Sequence, residues 1–139
     1  MVNYFSTFIT TAPDCPVEHS IVPTGKGDTP TVHQIQFQLL TEHPYTYTGE
    51  ELIFQTHVRR LGLSEAEAEA RRGEIWAELF SKDHACLRAS ALAKKYGWGF
   101  HYDEQGRIGI VPMESESYVQ FSSEEEGLKV IPAMRSKRG

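Results

Sequence analysis

HACLRASALAKKYGWGFHYDEQGRIGIVP, residues 84–112, is the stretch that decides the fold class. Its first half reads as a helix: Asp83 is placed to cap it, small and apolar residues recur at helical spacing, and Gly97 follows Tyr96 as a C-terminal glycine. Its second half reads as a β-hairpin. Residues 98–102 and 107–111 alternate, and Asp103-Glu104-Gln105-Gly106 between them is a four-residue loop with glycine where a left-handed residue is wanted. Alternation puts Trp98, Phe100 and Tyr102 on one face of the hairpin and His101 on the other.

Working outward, residues 3–11 are rich in aromatic and β-branched types and read as a strand. Phe8 and Ile9 are adjacent, which suits a strand covered on both faces. Prolines and glycines punctuate an irregular loop over residues 13–28. Residues 30–96 read as mainly helical. Thr29 is placed as N-cap with Pro30 in the first turn, although IQFQL at 35–39 also alternates as a strand would. His43-Pro44 ends this element, because a residue before proline is pushed out of the helical region. Thr48-Gly49-Glu50-Glu51 and Ser64-Glu65-Ala66-Glu67 fit capping boxes. The first opens a helix that stops at Gly62; the second opens one whose buried stripe is Ile75, Trp76, Leu79 and Phe80. Downstream, Ser115 caps a short helix through Phe121, glutamates 124–126 sit in solvent, residues 128–131 form a last strand, and a basic tail closes the chain. The expectation is a single α+β domain, with central helices packed on a small antiparallel sheet that includes the hairpin at about 98–111.

Composition bounds the chemistry. The chain has 139 residues, 40% hydrophobic and 24% charged, with a net charge of −5. That balance does not invite phosphate backbones, and RSKR at 135–138 is the one basic run, so nucleic acid is not the expected partner. No stretch approaches the roughly 20 apolar residues of a membrane span. MVNYFSTFITT lacks the basic and apolar regions of a signal peptide, and the two cysteines match no metal or disulfide pattern. The expected setting is cytoplasmic, with Cys15 and Cys86 reduced. Whether those two lie close in space is left open, as is the oligomeric state.

The pieces YFSTFITTAPDCPV (4–17), HPYTYTGEELIF (43–54), CLRASALAKKYGWG (86–99) and AMRSKRG (133–139) together resemble a family of small bacterial and fungal proteins that carries only a domain-of-unknown-function label. The resemblance runs over nearly the whole chain and implies a single cytosolic domain. It implies no activity, cofactor or site residue.

The residues themselves nominate two sites. Cys86, in the first turn of a helix capped by Asp83, would feel the positive end of the helix dipole, with His84 in the same turn and His101 across the hairpin as base candidates. Arg88 and Lys95, two helical turns apart, with Lys94 to one side and Arg107 and Trp98 on the hairpin, would suit a small anionic ligand. Six histidines show no HxH or HExxH spacing, so neither a metal nor another cofactor is expected. YGWGFHYDEQGRIG is no dinucleotide fingerprint, since no helix follows it. The leading expectation is a domain that binds a small anionic metabolite with Arg88 as anchor. The alternatives are a cysteine-dependent enzyme using Cys86 and a protein-interaction module.

Overall fold

The computed structural model describes residues 4–24, 30–123 and 126–135. The strand start at Asn3, the Thr29 cap, the end of the 13–28 loop, the glutamates at 124 and 125 and the tail beyond Arg135 lie outside the described residues. Strands β1 (Thr7–Thr10), β2 (Trp98–Tyr102), β3 (Ile108–Pro112) and β4 (Lys129–Pro132) form one sheet in the order β3-β2-β1-β4. The hairpin forms as its sequence predicts, with Phe100 opposite Ile110 and His101 opposite Gly109. β1 is inserted antiparallel to β2, Phe8 facing His101. β4 departs from the antiparallel expectation and runs parallel to β1, Phe8 facing Val130. The long excursion from β1 to β4 permits this, since parallel neighbours need a crossover rather than a tight turn.

β1 is buried on both faces. Ile9 joins Phe100, Tyr102 and Ile108 in the main core, against Ile35, Leu39 and Leu40 of α1 (Val32–Glu42) and Leu52 of α2 (Gly49–Arg60). Phe8 points the other way, under Tyr118 and Phe121 of α6 (Glu116–Ser122), with ring centroids 5.2 and 5.5 Å away. Both sheet edges are blunted. Tyr45 donates its N–H to the Ile108 carbonyl and Ile108 donates to Tyr47, so the 45–47 segment covers β3. On β4, Pro132 has no N–H and its carbonyl accepts from Arg88 Nε at 2.8 Å.

α1 begins two residues later than expected. Thr31 and Gln34 form a reciprocal capping box, which outcompetes a start at Thr29, and the alternating IQFQL run lies within the helix. Thr48 and Ser64 cap α2 and α3 (Glu65–Ala70) as read. The helix expected to continue from α3 through Phe80 breaks at Arg71 (φ −110°, ψ 14°), and α4 (Arg72–Leu79) resumes at a new angle. The turn lets Ile75 and Ala68 close a second, smaller core with Phe54 and Val58 of α2. Ser115 caps α6, which ends at Ser122.

The largest correction falls on the opening stretch. Residues 83–86 are irregular, Leu87–Ala89 make a single 3-10 turn, and only Ala91–Lys94 form α5. Asp83 caps nothing; Ser90 is the cap, its hydroxyl accepting from Leu92 N–H. A continuous helix would require the Arg88 carbonyl to accept from Leu92. That carbonyl instead accepts from Met134 N–H at 2.8 Å, while Ser90 takes an extended conformation and satisfies Leu92 itself. Sheet docking and one serine together override helical periodicity.

Candidate functional site

The irregular segment leaves a groove between itself, α1 and α2. One cavity of about 230 Å³ is lined by Val32 and Gln36 of α1, by Ile53, Thr56, His57 and Arg60 of α2, and by Leu79, His84 and Ala85. A neighbouring cavity of about 330 Å³ shares Val32, Gln36 and Ala85 and adds His33, Cys86 and Ser90. α2 supplies its wall through the spacing i, i+3, i+4, i+7: Ile53, Thr56, His57 and Arg60 share one face, whereas Leu52 turns to the main core and Phe54 and Val58 to the second. One helix thus serves two cores and a groove.

The groove is polarised. Among the described residues neither cavity is lined by an aspartate or glutamate, while Arg60 and three histidines line them. Nor does any described carboxylate pair with Arg60. Its neighbour Arg59 faces a different cleft, which holds Glu65 and Glu69. Gln36 accepts the Ser90 hydroxyl hydrogen on Oε1 at 3.0 Å, which leaves its amide N–H groups as donors. His84 donates Nε2–H to the Leu79 carbonyl at 2.6 Å, since a carbonyl can only accept; the bond orients the ring and leaves Nδ1 unspent. His33 Nε2 is buried with no hydrogen-bond partner. Burial holds the His33 imidazole below the usual histidine value; Lys95 adds to this and the Thr24 carbonyl opposes it.

The residues nominated from sequence are dispersed. Cys86 stands at the outer end of the groove, its thiol 3.5 Å from the Tyr4 hydroxyl, on the Tyr102 side of the sheet. It precedes a 3-10 turn, so the expected helix-dipole activation has no helix behind it. His84 is turned to Leu79 and His101 lies on the opposite sheet face, so the three catalytic candidates do not converge. The cationic set is also spread out. Arg88 is engaged with β4, Lys94 ends α5, Lys95 lies near His33, and Arg107 belongs to the hairpin loop, where its N–H donates to Asp103 Oδ1. Trp98 donates its indole N–H to the Ile21 carbonyl at 2.9 Å and rests edge-on against Phe37. Both cysteines are free thiols. Arg60, His57, Gln36 and His33 are the groove residues that sequence reasoning missed. The signal available was the i, i+3, i+4, i+7 run of Ile53, Thr56, His57 and Arg60 on α2.

His101 occupies a second polar site. Its ring stacks on Phe121 at 4.2 Å, and its Nδ1 lies 2.8 Å from the Tyr45 hydroxyl. Tyr45 holds a positive φ of 54°, unusual for an aromatic residue. The space its ring occupies exists because residue 109 is glycine: a Cβ there would overlap Tyr45 Cζ. Burial keeps the His101 imidazole below the usual 6.5, against the pull of Asp103 and Glu126. The unfolded chain therefore binds this proton more readily than the folded one. Stability contributed by neutral His101 is complete above the ordinary value and is lost as pH falls through the lower, folded one. The urea midpoint should accordingly decline as pH falls below about 6.5, and less steeply in His101→Asn. An unchanged slope in the variant would remove His101 from this role.

A model of a family of unknown function (DUF6157) matches residues 1–139, so the chain belongs to that family. No curated protein and no solved structure matches it. No helix among the described residues is long and apolar enough to cross a membrane, and no three histidine, cysteine, aspartate or glutamate residues are grouped as metal ligands there.

Proposed function

We propose that this member of the DUF6157 family is a small-ligand binding domain whose groove takes an organic anion, with Arg60 rather than Arg88 as the anchor. One observation carries the reading: in a chain of net charge −5, Arg60 faces a cavity that no described carboxylate lines. His57 and His84 flank it there, and Gln36 adds neutral donors. The C-terminal end of α2 places about half a negative charge nearby. The full charge of Arg60 outweighs it, and a guanidinium fork matches a carboxylate edge on. Val32, Ile53 and Leu79 give the cavity apolar walls, the usual arrangement of a few polar anchors in a mostly apolar site. The same reading places the chain in the cytoplasm, where the two free thiols stay reduced.

The test is calorimetric titration with butyrate and with inorganic phosphate. A charged hydrogen bond contributes about 1.5–3 kcal/mol, so Arg60→Ala should weaken binding of the preferred anion roughly 10- to 100-fold. Arg59→Ala, which alters the carboxylate-lined cleft instead, should change it less than twofold. Equal losses in the two variants would show that only the charge of the helix end matters and would overturn the assignment.

A further inference from the structure

The groove does not end at the anion cavity. A third cleft, of about 700 Å³, abuts it along His57, Leu79 and His84, which line both. Beyond that boundary Leu61, Leu63 and Ile75 join Leu79 as an apolar strip, and Arg71, Glu78, Ser81 and Lys82 also line this cleft. Leu61 is 56% exposed at the C-terminal cap of α2, and Gly62 follows at φ 73°, turning the chain so that Leu63 can reach the second core. The cationic cavity and this cleft therefore form one continuous trough, in which the apolar strip of Leu61, Leu63 and Ile75 runs on from the Arg60 end.

We infer that the ligand is a straight-chain carboxylic acid of medium length, its carboxylate at Arg60 and its hydrocarbon chain crossing His57 and His84 into the Leu61–Leu63–Ile75 cleft. This rests on the anion-binding reading and adds the ligand class. Charge complementarity selects the occupant. The described residues of the cavity present a guanidinium and imidazoles without a carboxylate, and a guanidinium fork takes a carboxylate through two parallel hydrogen bonds. The adjoining apolar walls reward a chain that a short or highly polar acid lacks.

The experiment is a calorimetric series on the full chain with acetate, butyrate, hexanoate, octanoate and decanoate, all below their micellar concentrations. Burying one methylene is worth about 0.8 kcal/mol, so affinity should rise about fourfold per added methylene until the cleft is filled. Leu61→Ser should flatten the rise for hexanoate and longer acids and leave acetate and butyrate as they are; the side chain is exposed, so the variant should fold with an unchanged melting temperature. Arg60→Ala should lower every length by the same factor, and octanoate methyl ester should bind at least tenfold more weakly than octanoate. Affinity that depends on Arg60 but not on chain length would overturn the tail and leave the anion site. A length dependence untouched by Leu61→Ser would place the chain elsewhere and overturn the assignment of the cleft. Absence of binding at every length would remove the anion site itself, and the inference with it.

Discussion

Phe8→Ala is expected to cost about 3–5 kcal/mol, the largest effect of any single replacement considered. Phe8 is fully buried at the centre of the sheet, on the face away from the main core. It alone gives Tyr118 and Phe121 of α6 an aromatic surface on β1, and Tyr118 in turn accepts the Thr11 N–H on its hydroxyl at 2.9 Å. The ring also fills the space over Gly99, where a Cβ would stand 2.7 Å from Phe8 Cζ. Truncation leaves a cavity that α6 cannot close without giving up that hydrogen bond and the stacking of Phe121 on His101. Urea denaturation of the variant reads the loss directly. A cost under about 1.5 kcal/mol would mean that α6 collapses onto the sheet freely.

Gly97→Ala should be nearly as damaging, at roughly 2–5 kcal/mol, because two independent penalties add. The residue sits at φ 81°, where an L side chain is strained. A Cβ would also stand 2.9 Å from the His19 carbonyl oxygen and 3.1 Å from Ser20 Cα. These are backbone atoms of a strap pinned on several sides. Ile21 N–H donates to the Tyr96 carbonyl, the Trp98 indole donates to the Ile21 carbonyl, and Ser20 N–H donates to the Glu114 carboxylate at 3.1 Å. The Ser20 hydroxyl, which also donates to that carboxylate at 2.9 Å, and then the Ser20 N–H hold the Glu114 carboxyl below its ordinary value. The strap must shift to admit the methyl group, so the variant should show both a lower urea midpoint and a change in Trp98 fluorescence. A lower midpoint with unaltered fluorescence would confine the penalty to the strained φ.

The hairpin and the helix caps were legible because their signals are local. Alternation, an Asp-to-Gly loop and S/T-x-x-E/Q spacings are satisfied by neighbours in sequence, and the chain realises them at Trp98–Tyr102, Ile108–Pro112, Thr48 and Ser64. Double coverage of Phe8 and Ile9 was legible from their adjacency. What sequence could not disclose depends on partners far along the chain. The helix expected from Asp83 is interrupted because Met134 claims the carbonyl of Arg88 and Ser90 starts a new cap. β4 lies parallel to β1 because Lys129 N–H meets the Ser6 carbonyl and Ala133 N–H meets Thr10. Arg88 looked like an anion anchor from its neighbours, yet its Nε is spent on Pro132, 44 residues away. Arg60 stands beside Arg59 just before Gly62 and carries no sequence signal that separates the two. Only the fold shows that the two adjacent arginines face opposite environments, one with carboxylates and one without.

The most direct test of the groove is a backbone amide titration of the uniformly labelled chain with octanoate. The account predicts shift changes concentrated at Val32, His33 and Gln36, at Thr56, His57, Arg60 and Leu61, and over residues 79–86, saturating with one dissociation constant. Shifts gathered instead around His101 and Glu126, or along the cleft that holds Arg59 and Glu65, with the groove amides unmoved, would contradict it.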